Sequence, residues 1–421
     1  MATTVVSVAD ICAAAQRASR RLATLGSGVK DEALHAIADA LIARSAEILE
    51  ANARDLDVGR ESGLSAALMD RLALDESRIA GMAAGVRKIA SLPDPVGEVI
   101  DGSRLTNGLD MRKVRVPLGV IAVVYEARPN VTIDAAALCL KSGNAVVLRG
   151  SSSAAHSNAV LGRVVSEAAV GEGLPEGCVS LLASADRGEL TELATQSGSV
   201  DLIIPRGGEG LKGALKGVAT VPVIYAASGN CHVYVDASAD LDAARAIILN
   251  AKTQRPGVCN AAEKLLVHSD VAGAFLPATL RALADAWVTL HGDGRARAAA
   301  GGVELQEATE DDWDTEYLAL ELAVGVVDSP GEAIAHINDH GSGHSEAIVT
   351  RDTEAARAFQ LGVDAACVYV NASTRFTDGG EFGMGAEIGN STQKLHARGP
   401  IGLRELCTFK YLVEGDGHVR P

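Results

Sequence analysis

The sequence predicts an α/β protein built on a doubly wound parallel sheet. Between Val120 and Pro205, short β-branched runs alternate with helical segments at the lengths of βαβ crossovers. Apolar residues make up 48% of the 421 residues, yet no stretch approaches the roughly 18 apolar residues that a membrane-spanning helix needs. A chain of this length exceeds what one hydrophobic core serves, so we expect two or three packed units.

The order of elements follows from periodicity and from turn residues. The segment from Val8 to about Ala90 is predicted to be helical, because apolar residues recur there at spacings of three and four. A connection at 92–106 and an exposed strand at 109–116 follow. The regular part predicts strands at 120–125, 145–148, 179–182 and 202–204, with helices at 134–141, 157–167 and 189–195. A second α/β unit is predicted to begin near Leu241, with strands at 264–268, 323–327, 347–350, 368–371 and 403–413.

Composition and charge exclude several classes of partner. The formal net charge of −16 argues against nucleic acid, because phosphate backbones are held mainly by basic surfaces. The seven cysteines form no paired spacing, which indicates free thiols in a reducing compartment rather than disulfides or a zinc site. The first 20 residues lack the apolar core of a signal peptide. We therefore expect a cytoplasmic protein that binds a small molecule, without metal, nucleic acid or membrane.

Cys259 is the candidate nucleophile. Pro256 and Gly257 predict a turn just before an apolar strand, and a thiol on such a turn can be exposed. Cysteine is also among the most often buried residue types, so a structural role stays open on these residues alone. The other six cysteines lack this context and are expected to be structural.

Two loops that follow predicted strands are candidates for cofactor binding. The glycines after Arg206 allow a backbone to approach a pyrophosphate at a helix N-terminus, although a plain turn fits equally well. The loop at Arg149 offers a cation and hydroxyls but no acidic residue, which favours NADP over NAD. The candidate cofactor-binding residues of the two loops are Arg149, Ser151, Pro205, Arg206, Gly207 and Gly208.

Two further segments are polar and follow predicted strands. In the first, Asn130 is placed either to donate its amide to a developing oxyanion or to cap the following helix. The second, Val370–Gly383, has the composition of a substrate-binding loop, with a solvated loop as the alternative.

Together these segments resemble the aldehyde dehydrogenase superfamily over nearly the whole chain. The most specific matching segments are Val116–Ile121, Tyr125–Thr132, Arg255–Glu263, Val368–Gly385 and His396–Pro400. The resemblance implies a cofactor domain at 1–104 and 117–235, a catalytic α/β domain at 236–395 and a small β tongue at 105–116 and 396–416. Because the tongue serves oligomerisation in this superfamily, it also implies a homo-oligomer.

The resemblance assigns roles to three residues. It implies that Cys259 is the nucleophile, that Asn130 stabilises the oxyanion with the Cys259 backbone N–H, and that Glu316 holds the nicotinamide ribose. Oxidising members carry a Glu that activates water to hydrolyse the thioester, and Ala227 falls about where that Glu would be. Without this base a thioester should persist long enough to accept hydride, as reduction of an acyl phosphate requires.

Within the superfamily, the chain is most similar to the branch that reduces L-glutamyl 5-phosphate with NADPH. The product, L-glutamate 5-semialdehyde, cyclises unaided to 1-pyrroline-5-carboxylate in proline biosynthesis. Arg128, Arg255 and Arg375 are candidates for the phosphate and the α-carboxylate, and Glu381 for the α-ammonium; each is alternatively a surface charge.

Two other functions stay open on the sequence. A CoA-acylating aldehyde dehydrogenase also dispenses with the hydrolytic Glu. A non-catalytic scaffold would keep the fold and hold a kinase partner. Because acyl phosphates are labile, transient contact with glutamate 5-kinase is expected if the chain is the reductase.

Overall fold

Helices and strands alternate along most of the chain in a computed structural model, which describes residues 6–182, 186–225 and 228–420. The helices are α1 (Val8–Leu22), α2 (Ser27–Ala43), α3 (Ser45–Glu61), α4 (Ala66–Leu72), α5 (Glu76–Ala90), α6 (Asn130–Lys141), α7 (Ala155–Gly171), α8 (Arg187–Ala194), α9 (Glu209–Lys216), α10 (Leu241–Thr253), α11 (Ser269–Asp285), α12 (Gly294–Ala298), α13 (Glu310–Asp314), α14 (Pro330–His340) and α15 (Thr353–Gly362). The strands are β1 (Val99–Arg104), β2 (Asp110–Pro117), β3 (Val120–Tyr125), β4 (Ala145–Arg149), β5 (Val179–Leu181), β6 (Leu202–Arg206), β7 (Cys231–Val235), β8 (Ala262–His268), β9 (Thr289–Gly292), β10 (Gln306–Glu307), β11 (Glu321–Val327), β12 (Ser345–Val349), β13 (Cys367–Val370), β14 (Asn390–Ser391), β15 (Gly399–Pro400) and β16 (Cys407–Glu414).

The chain divides into two compact units. The first comprises Met1–Ala226, Gly383–Gly389 and Ile401–Pro421, and the second comprises Ala227–Phe382 and Asn390–Pro400. Both contain parallel sheets with helical crossovers, which confirms the predicted α/β class. The finer division into cofactor domain, catalytic domain and tongue stays a prediction.

The first unit contains a four-stranded parallel sheet in the order β5–β4–β3–β6. All residues of β3 and β4 are buried, as continuous β-branched runs predict for strands covered on both faces. The chain passes outward from β3 through β4 to β5 and then returns to the other side of β3 to form β6. The strand order therefore reverses between β3 and β6, where sheets of this kind bind ligands.

A separate three-stranded antiparallel sheet of the first unit joins distant parts of the chain. Strand β2 pairs with β16, with Val114 opposite Lys410, and β1 pairs along the other side of β2. The predicted strand at 109–116 is confirmed, whereas β1 lies in a stretch expected to be a connection. Every residue of β1 is exposed, so it lacks the alternation of apolar and polar residues by which a half-buried strand is found.

The second unit contains a seven-stranded parallel sheet in the order β10–β9–β11–β8–β7–β12–β13. One face packs apolar side chains against α10 and α11, and the other packs against α14 and α15. Strand β7 was not predicted, and it extends this sheet ahead of the expected start near Leu241. Its five residues are all buried, but the run begins with Cys231 and His232, which weakens the apolar signal.

No helix in the described part of the chain combines the length and the apolar character that crossing a bilayer requires.

Candidate active site

Cys259 lies in the turn between the end of α10 at Thr253 and the start of β8 at Ala262. All seven cysteines are described, and Cys259 alone is partly exposed while the other six are buried. Burial raises the pKa of Cys12 to about 11 and that of Cys407 to about 12, so those thiols are poor nucleophiles. Exposure therefore separates Cys259 from the rest, in agreement with the turn predicted from Pro256 and Gly257.

A buried ion pair joins the two elements that hold this turn. Nζ of Lys252, in α10, lies 2.8 Å from Oε2 of Glu263, in β8, and both side chains are fully buried. Burial lowers the pKa of Lys252 and raises that of Glu263, while their mutual attraction opposes both shifts. The pair fixes both ends of the loop that carries Cys259.

The backbone of Cys259 is packed against the segment that leads into β7. A Cβ added to Gly229 would lie 1.4 Å from the carbonyl oxygen of Cys259, so only glycine fits there. The thiol of Cys231 donates a hydrogen bond to the same oxygen at 3.2 Å. The Gly229 N–H in turn donates to Oε1 of Glu316 at 2.6 Å. The Cys259 carbonyl is thus held by Gly229 and Cys231, and Glu316 holds Gly229.

Asn260 ties the nucleophile turn to the polar segment after β13. Its side-chain amide donates to the carbonyl oxygens of Arg375 at 3.3 Å and Thr377 at 2.9 Å. The Thr374 hydroxyl donates to the Asn260 carbonyl at 2.7 Å. This loop is therefore an ordered part of the Cys259 surroundings, whereas the sequence alone left a solvated loop open.

The Arg375 guanidinium lies close enough to Cys259 and to Arg255 to interact with both. Arg375 donates from Nε to Oε1 of Gln254 at 2.8 Å and from Nη1 to Oδ1 of Asn260. Burial lowers the pKa of Arg375 most and the nearby charge of Arg255 lowers it further, while Cys259 acts in the opposite direction. The positive charge of these two side chains would attract an anionic substrate.

The first unit holds Asn130 at the first position of α6. The residue that caps this helix is Pro129, so the alternative in which Asn130 is the cap is wrong. Instead Nδ2 of Asn130 donates to Oδ2 of Asp134 at 3.1 Å. Since a carboxamide has two N–H bonds, this contact orients the group and leaves the second N–H for an acceptor.

The carboxyl ends of β3 and β6 form the crevice expected to hold a cofactor. Gly208 precedes α9, and its N–H donates to Oε2 of Glu126 at 3.3 Å. A Cβ on Gly207 would lie 2.7 Å from Cδ of the exposed Glu126 side chain, which would have to move to accept it. Because the strand order reverses here, these carboxyl ends are the candidate position for a dinucleotide. Glu126 is an acidic neighbour that sequence reasoning did not weigh.

The second cofactor loop follows β4. A Cβ on Gly150 would lie 2.1 Å from Nδ2 of Asn158, which requires glycine there. The Arg149 side chain is largely buried and donates to the carbonyl oxygen of Asp186 at 2.8 Å. The Ser151 hydroxyl pairs with that of Ser153 at 2.6 Å. The side chains of Arg149 and Ser151 therefore already make hydrogen bonds within the protein, which the composition of the loop alone did not indicate.

Other sequence candidates lie as follows. Arg255 and Glu381, of the second unit, and Arg128, of the first, are exposed. Within the second unit, Arg375 interacts electrostatically with Cys259 and with Arg255. Ala227, at the position of the missing base, lies outside the described residues. Within residues 6–182, 186–225 and 228–420, no group of three or more His, Cys, Asp or Glu is arranged to hold a metal ion.

The family profile, the related sequences and the related crystal structure all match this chain to the same family. The sequence profile of the aldehyde dehydrogenase family matches residues 1–301. A γ-glutamyl phosphate reductase of Moorella thermoacetica is 58% identical over 96% of this chain and 97% of its own length. One of Thermobifida fusca is 56% identical over 98% of each chain. The crystal structure of the γ-glutamyl phosphate reductase from Thermotoga maritima is 47% identical, with a TM-score of 0.96 over 98% of this chain and 99% of that one. The chain therefore belongs to the aldehyde dehydrogenase family, in the branch of the γ-glutamyl phosphate reductases.

Proposed function

We propose that this chain reduces L-glutamyl 5-phosphate to L-glutamate 5-semialdehyde and inorganic phosphate, with NADPH, in proline biosynthesis. The observation that carries the proposal is the partly exposed Cys259 thiol near the guanidinium group of Arg375, which in turn has Arg255 as a neighbouring charge. An acyl phosphate needs a nucleophile at its acyl carbon and cations at its phosphate, and this cluster supplies both. The names of the relatives support the same substrate.

The first chemical step uses the thiolate of Cys259. Its sulfur attacks the acyl carbon, the bond from that carbon to the phosphate oxygen breaks, and inorganic phosphate leaves with the electron pair. Arg375 and Arg255 balance the charge of the phosphate as it departs. The second N–H of Asn130 and the backbone N–H of Cys259 are the proposed donors to the oxyanion.

The second step reduces the thioester on Cys259. Bound NADPH supplies the hydride. The oxyanion of the resulting thiohemiacetal then re-forms a C=O bond as the carbon–sulfur bond breaks, which releases the aldehyde and returns the Cys259 thiolate. Ala227 offers no carboxylate to activate water, which supports reduction rather than hydrolysis of the thioester.

The nicotinamide cofactor is a property of the aldehyde dehydrogenase family, and the preference for NADPH is part of the proposal. The crevice at Gly207 and Gly208 supports dinucleotide binding. Arg149 and Ser151 are the proposed neighbours of the 2′-phosphate. Glu316 is proposed to hold the nicotinamide ribose in addition to the Gly229 N–H that it accepts.

The remaining proposals concern the two charged groups on the α-carbon of the substrate and the partners of the chain. Arg128 and Glu381 are proposed to meet the α-carboxylate and the α-ammonium.

A homo-oligomer is supported by exposed side chains on the edge strand β16, namely those of Phe409, Tyr411, Leu412 and Val413. Transient contact with glutamate 5-kinase and a cytoplasmic location stay predictions; the free thiols accord with the latter.

The test is the reverse reaction of the purified chain, followed as reduction of NADP⁺ in the presence of L-glutamate 5-semialdehyde. We expect turnover that requires inorganic phosphate. A requirement for CoA instead would favour a CoA-acylating dehydrogenase, and no turnover despite intact NADPH binding would favour a scaffold. Comparing NAD⁺ with NADP⁺ in the same assay tests the cofactor preference.

Replacing Arg375 by glutamine is expected to raise the KM for phosphate in this assay about 10- to 100-fold, because charge-assisted hydrogen bonds contribute about 1.5–3 kcal/mol. The matched control is Arg351→Gln, which removes an exposed arginine that pairs with Asp240 at 2.5 Å in the same unit. An unchanged KM for phosphate in Arg375→Gln would remove this arginine from the phosphate site.

A further inference from the structure

Asn230 lies between two residues that contact the turn of Cys259. Gly229, before it, packs against the Cys259 carbonyl oxygen, and the thiol of Cys231, after it, donates to the same oxygen at 3.2 Å. Asn230 itself is 4% exposed and bonds to other elements of the second unit. The contacts of Asn230 therefore decide where the 229–231 segment, and with it the Cys259 carbonyl, is held.

The Asn230 side chain binds the carboxyl ends of two helices. Its Nδ2 donates to the carbonyl oxygen of Trp313, in α13, at 2.6 Å. It also donates to the carbonyl oxygen of His340, the last residue of α14, at 2.8 Å. Carbonyl groups in the last turn of a helix have no partner within the helix and need an outside donor. One amide group satisfies two of them with its two N–H bonds.

The remaining polar atoms of Asn230 show that this position requires a donor. Its backbone N–H donates to the hydroxyl oxygen of Ser342 at 2.9 Å, just beyond α14. Within the described residues, its buried Oδ1 has no partner, which is costly for a buried acceptor. The three donated hydrogen bonds offset that cost. An apolar side chain would donate none of the side-chain bonds and would leave the carbonyls of Trp313 and His340 without them.

The same segment is joined to the part of the chain that carries Glu316. The Gly229 N–H donates to Oε1 of Glu316 at 2.6 Å, and Trp313 precedes Glu316 by three positions. Residues 313–316 and the Cys259 carbonyl are thus both fixed to the 229–231 segment. The segment joins the residue proposed to hold the nicotinamide ribose to the proposed nucleophile.

We propose that Asn230 is a positioning residue for the reaction at Cys259, acting through Gly229 and Cys231. The inference rests on the proposed role of Cys259 as the nucleophile. Without the two bonds from Nδ2, the 229–231 segment can move away from α13 and α14, and the Cys259 carbonyl loses its fixed support. A displacement of about 1 Å at reacting atoms costs about 10²-fold in rate, so a partial displacement is enough to slow the reaction.

The test compares Asn230→Ala and Ser342→Ala with the unmodified chain. Alkylation of Cys259 by iodoacetamide is timed at a temperature at which thermal unfolding shows each variant to be folded, and kcat and the KM for phosphate are measured in the reverse reaction. For Asn230→Ala we expect the alkylation rate to change at least about threefold and kcat to fall at least about tenfold, with the KM for phosphate within about twofold. Ser342→Ala removes one acceptor and should give smaller changes in the same direction.

The matched control is Asn144→Ala, in the first unit. Asn144 is fully buried, accepts from the Gly119 N–H at 2.8 Å and donates to the Leu406 carbonyl oxygen at 2.9 Å. It lies at the amino ends of β3 and β4, opposite the carboxyl ends proposed for the cofactor. This variant should lower the midpoint of thermal unfolding but leave kcat and alkylation unchanged.

If Asn230→Ala behaves like Asn144→Ala, Asn230 serves stability alone and the proposal is overturned. If Asn230→Ala does not fold, Ser342→Ala decides, and unchanged kcat and alkylation in that variant overturn the proposal. Alkylation requires no turnover. It therefore decides the role of Asn230 even when the unmodified chain shows no phosphate-dependent reaction and the proposed function fails.

Discussion

Replacing Cys259 by alanine is expected to lower the rate of phosphate-dependent NADP⁺ reduction at least about 10⁴-fold, as loss of a covalent nucleophile does in other enzymes. Without the sulfur no thioester forms, and neither the guanidinium groups nor Asn130 supplies another nucleophile. The measurement is kcat with saturating semialdehyde and phosphate. Because Cys259 is partly exposed, its loss should change the midpoint of thermal unfolding little.

The matched control is Cys367→Ala, which removes a buried thiol from the same unit. This variant should keep its kcat, since Cys367 lies on the edge strand β13, which β7 and β12 separate from β8. Iodoacetamide should also inactivate the unmodified chain with one alkyl group, on Cys259, because the six other thiols are buried. Retention of more than about a hundredth of the activity in Cys259→Ala would contradict covalent catalysis by this thiol.

Several of the strands that the sequence predicted are buried along their whole length. Residues 120–125 form a continuous apolar run rich in β-branched residues, and the structure buries all six. Strand β1 was missed because it is exposed throughout and contains Gly102. Strand β7 was missed because it opens with Cys231 and His232. His232 is buried through its contact with Glu346, more than 100 residues away, which no local pattern reveals.

The candidate site also combines features that a local sequence pattern reveals with contacts between distant residues that it does not. Cys259 was predicted because its signal is local, a proline and a glycine ahead of an apolar strand. The contacts that hold it are not local. Asn260 bonds to residues 114 to 117 positions later, and Gly229 approaches from 30 positions earlier. The sequence signal available for Asn260 was its position directly after Cys259. For Gly229, nothing local separates a required glycine from a permissive one.

Gly229→Ala is the second substitution for which we expect a large effect. The added Cβ would lie 1.4 Å from the Cys259 carbonyl oxygen and 2.2 Å from its carbonyl carbon, so the nucleophile turn must shift by more than an ångström. A displacement of that size at reacting atoms costs about 10²-fold in rate, and we expect kcat to fall at least that much. Overpacking should also lower the free energy of unfolding by about 1–3 kcal/mol.

Gly257→Ala is the control, since it adds the same methyl group to the same turn. Its Cβ would meet only the Leu318 carbonyl oxygen, at 3.6 Å, which is ordinary contact. Comparing kcat, thermal unfolding and the rate of Cys259 alkylation separates a displaced nucleophile from a destabilised fold. A displaced nucleophile changes kcat and alkylation at temperatures where the chain is still folded. If Gly229→Ala lowers only the unfolding temperature, the close approach serves packing alone, and the position of Cys259 must be fixed by Cys231 and Asn260.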